Sequence, residues 1–294
     1  MTAPPDVCVV IPVWDDYARL LPSALASLGD QGMALTVIVV DNASTTAVQD
    51  AAQATTLRLG RRVSVGAARN AGLAAVDAPF VCFLDADDEL LPGALARMRA
   101  RLAARPSCVV TVGGCEAWIE DTGEAVRWGW PRPLAYRLCR HRRLFATVAA
   151  LRNAYPTTGV LMRTAAMRAA GGFADADHEE DWLPAVMLAA RGDVDLDERP
   201  ARRYRVSGRS LYGAGADLAT VRANRRALRR ALRRDPRTRA FALAMGWALA
   251  AAHLVSAHVS AAPRRRGHAR LISAARAASH AHDGAREDGQ VAAQ

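Results

Sequence analysis

Three short apolar runs punctuate the first 90 residues, and their spacing limits the folds open to this chain. Val7–Val13 is β-branched and apolar, Leu35–Val40 is a second continuous run, and Phe80–Leu84 is a third. Runs of this length without polar alternation read as strands buried on both faces. Helical patterns lie between them. Tyr17–Leu28 repeats apolar residues through Leu20, Leu21, Ala24, Leu25 and Leu28, and Gly66–Val76 is rich in alanine. Strand, helix, strand, helix, strand predicts an α/β fold with a mostly parallel sheet, right-handed crossovers and flanking helices. Pro92–Arg105 reads as a further helix with proline in its first turn. Cys108–Ile119 reads as a strand followed by a polar turn at Asp121-Thr122-Gly123-Glu124.

The third run ends in three acids, Asp85, Asp87 and Asp88. Strand ends of parallel α/β sheets border the crevice in which ligands bind. Two aspartates one residue apart offer hard oxygen ligands to a divalent cation that also grips a diphosphate. The competing account is a solvated acidic turn. Trp128-Gly129-Trp130-Pro131 is unusually aromatic for a loop and reads as a buried corner, with the border of a binding cleft as the alternative.

Charge is unevenly distributed. Residues 1–200 carry 20 Arg against 24 Asp and Glu, whereas residues 201–294 carry 19 Arg against 5 acids, and no Lys is present. An acidic-to-neutral body therefore precedes a basic tail. Residues 217–234 form a basic amphipathic helix, with Leu218, Val221, Leu228 and Leu232 on one stripe. Pro236 breaks it. Residues 240–262 hold no charged residue, but about half are Ala, and His253 and His258 interrupt them. A helix packed on the body or on a dimer partner fits that content better than a membrane span. These changes divide the chain into 1–212, a helical basic region 213–282 and a disordered tail 283–294. The five cysteines are odd in number and lack CxxC spacing, so neither a disulfide framework nor zinc is expected. With no basic or apolar leader at MTAPPDVCVV, the expected location is cytoplasmic, with peripheral contact at the inner face of the membrane as an extension.

Four segments recur in one order: VVIPVWDD (9–16), VIVVDNAS (37–44), VGAARNAGLAAVDAPFVCFLDADD (65–88) and RTAAMRAAGGFADADHEEDWLPAVMLAARG (163–192). Together they resemble the family 2 glycosyltransferases of GT-A fold, with their PVYN, VDDGS, ARNxG, FLDADD, GGF and ED texts, over roughly residues 7–210. The resemblance implies an inverting transfer from a nucleotide sugar, UDP-linked first among the candidates, to an unidentified hydroxyl acceptor, assisted by Mg²⁺ or Mn²⁺.

Position by position, the resemblance implies that Asp41 accepts a hydrogen bond from the uracil imide, a fitting task for an acceptor-only carboxylate. Asn42 stands where a second Asp is commoner. Pro12 and Trp14 would floor the base pocket, Trp14 replacing the usual Tyr, with Asp16 beside them on the donor side. Arg69 would reach the diphosphate through its planar fork. Asp85 would contact ribose or metal, Asp87 would ligate the metal, and Asp88 would lie behind them. Asp181 would be the general base, with Glu180 in reserve, and Gly172 would let backbone approach the sugar.

Two departures stand out. The YRxH text of many relatives is Tyr204-Arg205-Val206-Ser207 here, without the His, and Pro184 follows the expected base. His178 is a substitute ligand or a solvated loop residue. Among rival classes, nucleotidyl transfer lacks its Gly-rich phosphate loop after the first strand, and no aromatic-interleaved basic platform supports specific nucleic-acid binding. The basic helix and the run after it (217–270) offer a docking surface for anionic membrane or a homodimer interface, and an inactive relative binding nucleotide or an anionic polymer is the remaining alternative.

Overall fold

In the computed structural model, seven consecutive buried residues, Val7–Val13, form the central strand β1. The structure describes residues 4–48, 53–120, 123–128, 145–146, 149–150, 155–206, 218–244, 250 and 254. Strand β1 pairs in parallel with β2 (Thr36–Asp41) on one side and β4 (Phe80–Phe83) on the other, and β2 pairs in parallel with β3 (Thr55–Arg58). The remaining strands are β5 (Glu89–Leu90), β6 (Cys108–Ile119), β7 (Ala125–Trp128), β8 (Leu161–Arg163) and β9 (Asp193–Val206). Sheet order runs β3-β2-β1-β4-β8-β6-β9-β5, with β7 paired to β6. The short β8 is antiparallel to both neighbours, while β6 and β9 form a long parallel ladder. The longer ladders are thus parallel, as the sequence predicts.

Side chains of successive strand residues point to opposite faces, so each strand feeds two cores. Val10, Val40, Phe83 and Met162 face α2 (Val65–Ala74) and α5 (Trp182–Arg191). Val9, Ile11, Val39 and Leu84 face α1 (Leu21–Ala26) and α3 (Ala94–Ala104). A Cβ on Gly72 would stand 2.4 Å from Val10 Cγ1, so the absence of a side chain there lets α2 lie directly on β1 and β2. A short helix α4 (Thr164–Ala169) follows β8.

Two helices differ from expectation. Instead of one helix over 17–28, a 3-10 turn at Asp15–Tyr17 precedes the six-residue α1, whose second residue is Pro22. Proline lacks an N–H and is tolerated only in a helix's first turn, so α1 cannot start earlier than Leu21 by more than a residue. Helix α3 begins at Ala94 rather than Pro92, because Gly93 takes φ +66° and caps it.

The basic helix is α6 (Leu218–Arg234), followed by α7 (Arg239–Ala244). Val221, Leu228 and Leu232 are at most 1% exposed, and Leu228 and Leu232 join the core beside α5. Arg191 of α5 pairs with Asp235 at the end of α6. Helix α6 therefore packs on the body through its apolar stripe. Among the described residues no helix is long and apolar enough to cross a membrane. Most of 240–262, the aromatic stretch 129–131 and the tail 283–294 lie outside the described residues. Cys8, Cys82, Cys108 and Cys115 are free and buried, and burial pushes the Cys8 thiol up to about 11 and that of Cys82 up to about 12, which makes them inert packing groups.

Candidate active site

The parallel strands β1, β2 and β4 all end at one edge, and the expected residues gather there. Pro12 pairs with Val40 and Val13 with Asp41, so the ends of β1 and β2 lie side by side. Asp41 is fully buried. Its Oδ1 accepts from Ser44 N at 2.9 Å, and its Oδ2 accepts from Val48 N at 3.2 Å and from Arg58 Nη1. Burial pushes the Asp41 carboxyl up, but these donors outweigh it and hold it below its ordinary value. Asn42 is equally tied: it donates to Val63 O at 2.8 Å and accepts from Val63 N at 2.9 Å, anchoring the segment that leads into α2.

Trp14 lies half-buried beyond β1, with Arg62 stacked on its ring, guanidinium carbon 3.2 Å from the ring centroid. Asp16 is exposed in the 3-10 turn alongside. The Asp15 carboxylate, by contrast, accepts from Thr45 N at 2.7 Å, and Asp15 N donates to Ser44 Oγ at 3.1 Å. These bonds join the loops after β1 and β2 into one rim.

Arg69 on α2 is the hub. Only 4% exposed, it donates from Nη2 to Asp85 Oδ1 and from Nη1 to Glu180 Oε1, each at 2.5 Å. Burial pulls a guanidinium's pKa down, but the two carboxylates raise it above its ordinary value, so this group stays charged. Its Nε has no partner, which leaves a buried donor at the meeting point of the two acids. The next residue, Asn70, donates to Phe173 O at 2.9 Å and accepts from Phe173 N at 2.8 Å. That pairing requires Gly172, whose φ is +70° and whose Cβ would fall 2.4 Å from Asn70 Oδ1. The AlaArgAsn and GlyGlyPhe texts, a hundred residues apart, are thus one interlocked unit.

The acids after β4 occupy different environments. Asp88 is buried and accepts from Arg202 Nη1 at 3.1 Å and Arg205 N at 3.2 Å. Arg205 also donates from Nε to Asp87 O at 3.1 Å and from Nη1 to Glu120 at 3.4 Å. Two arginines of β9 therefore hold the acidic turn from behind. Asp85 is 29% exposed and engages Arg69. No cation pairs with the Asp87 carboxylate among the described residues, and burial first, then the Asp85 charge, push it up to about 6. Of the three acids, Asp85 is paired with Arg69 and Asp88 with Arg202, which leaves the Asp87 carboxylate, with Asp85 beside it, as the group open to a hard divalent cation. Among the described residues no group of three or more His, Cys, Asp or Glu converges. An ion held there would complete its shell with phosphate oxygens and water, the ordinary habit of Mg²⁺.

Opposite the acidic turn lies the loop 174–181. Glu180 is 12% exposed and bound to Arg69, whereas Asp181 is partly exposed at the start of α5. Pro184 falls in the first turn of α5 and does not disturb it. His178 offers its carbonyl to Asn224 of α6.

The sequence model of Glycosyl transferase family 2 matches residues 8–168, more than half of the 294 residues. The chain belongs to that family. The succinoglycan biosynthesis protein ExoO of Rhizobium meliloti (strain 1021) is 30% identical over 106 residues, covering 34% of this chain and 30% of that protein. The match spans less than a third of that relative's length. Among solved structures, S. aureus TarS 1–349 in complex with UDP-GlcNAc is similar at a TM-score of 0.63 and 16% identity, over 81% of this chain and 69% of that one. The same protein in complex with UDP gives 0.57 and 17%, over 81% and 68%. The fold of this family 2 glycosyltransferase is accordingly GT-A.

The acids named from the sequence gather at this edge, but apart from Arg69 the arginines that pair with them carry no mark in the sequence. Arg58, Arg62, Arg202, Arg205 and Arg225 were hidden because their partners lie 14 to 118 residues away in the chain. The one local signal was AlaArgAsn itself, which marks Arg69.

Proposed function

We propose that this glycosyltransferase moves a sugar from a UDP-linked donor to a hydroxyl acceptor with inversion at the anomeric carbon. The observation that carries the reading is Arg69, which links Asp85 on the donor side to Glu180 in the loop that bears the expected base. Donor and acceptor groups are thereby fixed relative to one another, the arrangement that a single displacement needs. The likeness to a fold solved with UDP-GlcNAc and UDP supports the donor class.

Asp181 is the base in this account. Glu180 is the poorer candidate, since its carboxylate is only 12% exposed and is already engaged by Arg69 rather than open to an acceptor. Asp181 takes the proton of the acceptor hydroxyl while that oxygen bonds to the anomeric carbon. The bond from that carbon to the diphosphate breaks, and its electron pair leaves with UDP. Asp87 and Asp85 would hold Mg²⁺ or Mn²⁺, which supplies charge neutralisation on the departing diphosphate. Trp14 and Pro12 support the base. For a uracil imide to reach Asp41, Arg58 must give way; its side chain is 45% exposed against 0% for Asp41, so it is the partner with solvent to turn into.

The exposed arginines of α6, including Arg226, Arg230, Arg233 and Arg234, suit docking on anionic lipid, with a lipid-linked acceptor as the corresponding substrate class. The reading is tested by following nucleoside diphosphate release from UDP-, GDP- and dTDP-sugars with Mn²⁺. UDP-sugars should be the ones turned over, and Asp181→Asn should lower the rate by about 10²- to 10⁴-fold. Turnover unaffected by Asp181→Asn would remove that residue from the mechanism.

A further inference from the structure

Seven arginines lie on α6, and one is unlike the rest. Arg225 is 3% exposed on its side chain, whereas Arg226, Arg230, Arg233 and Arg234 are exposed. Its fork closes on Glu179: Nη2 donates to Oε1 at 3.0 Å and Nε donates to Oε2 at 3.3 Å. Its guanidinium carbon also lies 5.0 Å from the ring centroid of Trp182. The neighbouring Asn224 donates from Nδ2 to His178 O at 2.6 Å. Helix α6 thus grips residues 178, 179 and 182, on both sides of Glu180 and Asp181.

The gripped backbone is held in a conformation it does not favour. Glu179 has φ +56°, a left-handed value uncommon for a residue with a side chain. Such a conformation persists only where its surroundings over-determine it. The other side of the loop is fastened to α2, where Val65 N donates to Asp177 Oδ1 at 2.9 Å and Ser64 Oγ donates to Asp175. Ala174 N closes it by donating to Glu180 O at 3.1 Å. The α2 side fixes 174–177, and the α6 side fixes 178–182. The residues next to Glu180 and Asp181 are therefore held by Asn224 and Arg225, 43 and 44 residues beyond Asp181 in the chain. No acid occurs within residues 218–234, so Arg225 can find its carboxylate only off its own helix, and Glu179 supplies it.

We propose that Arg225 is a positioning residue for the glycosyl transfer: by clamping Glu179 it holds the loop so that Asp181 faces the acceptor. The proposal rests on Asp181 as the base, and it makes the basic helix part of the catalytic apparatus as well as a docking surface. The Arg225 fork closes on Glu179 and its face on Trp182, so its loss should slow the chemical step and leave nucleotide binding nearly intact.

The test compares wild type with Arg225→Ala, Arg225→Lys and Glu179→Gln. Three quantities are read: UDP binding with Mn²⁺ by calorimetry, UDP release from UDP-GlcNAc or whichever UDP-sugar the wild type turns over, and hydrogen exchange of the 174–182 peptide. Arg225→Ala and Glu179→Gln should each lower kcat by about 10- to 100-fold, the scale of a small misplacement of a reacting group. KM for the donor and the UDP affinity should stay within about two-fold on the same argument. Exchange in 174–182 should rise, and Arg225→Lys should restore part of both effects. Glu179→Gln leaves the sequence of α6 unchanged and keeps an acceptor oxygen for Arg225, so it reports on the clamp even if Arg225→Ala unfolds the helix. Unchanged kcat in Glu179→Gln, or a parallel loss of UDP binding, would overturn the proposal. If the wild type turns over no donor, the catalytic reading fails separately, and unchanged exchange in 174–182 would then overturn the clamp as well.

Discussion

Replacing Arg69 by methionine keeps the volume of the side chain and removes its charge. Arg69 is 4% exposed, and it separates Glu180, 12% exposed, from Asp85, 29% exposed. Removing one partner of a buried pair costs about 3–5 kcal/mol, because the remaining charge has lost its compensation. Asp85 can draw solvent around its exposed edge, which places the expectation near the lower figure, about 3 kcal/mol. With an unfolding slope in urea of about 3 kcal/mol/M for a chain of this size, the midpoint should fall by about 1 M. Circular dichroism and tryptophan fluorescence, followed together, read that midpoint. The double variant Arg69→Met with Glu180→Gln should recover about 1–2 kcal/mol, since it removes one of the stranded charges. A midpoint shift under about 0.3 M, roughly 1 kcal/mol, with strictly additive double-variant energetics, would refute the reasoning that Arg69 unites the two halves of the site.

Three further outcomes are expected. Asn70→Ala frees both backbone groups of Phe173 and should cost about 1–3 kcal/mol in urea unfolding, whereas Asn70→Asp should retain the bond from Phe173 N and cost less. Asp41, held below its ordinary value of 3.8, contributes stability that is present above 3.8 and is lost as pH falls through its folded pKa; Asp41→Asn should therefore narrow the gap to wild type as acid denaturation proceeds, and a gap that widens toward low pH would contradict the assignment. Replacing Arg226, Arg230, Arg233 and Arg234 by Gln should weaken sedimentation with phosphatidylserine vesicles by about 1 kcal/mol per arginine and leave phosphatidylcholine controls unchanged; equal binding by both proteins would remove α6 as a lipid-docking surface.

The strands legible in the sequence are the ones whose environment is uniform. β1, β2, β4 and β6 are buried on both faces, and a continuous apolar run is their direct imprint. β9 was invisible because its text, DVDLDERPARRYRV, is mostly polar. Its charges are neutralised from other elements: Asp195 by Arg101 and Arg105, Asp197 by Arg97, and Arg202 by Asp88. No local pattern records a partner about a hundred residues away. The same holds in the site, where the motif acids and Arg69 could be named in advance but the clamp from Arg225 to Glu179 could not. In α1 the apolar spacing alone misled, since Pro22 limits where a helix can begin. The absent His of the YRxH text has a structural counterpart of a different kind: Arg205 in the same stretch donates to the carbonyl of Asp87 and fixes the turn rather than offering a ligand.

Calorimetric titration of UDP in the presence and absence of Mn²⁺, on wild type and on Asp87→Ala, bears most directly on the central claim. The account predicts binding that Mn²⁺ strengthens in the wild type, with that increment lost in Asp87→Ala. Failure of UDP, GDP and dTDP alike to bind the wild type, with or without Mn²⁺, would contradict it.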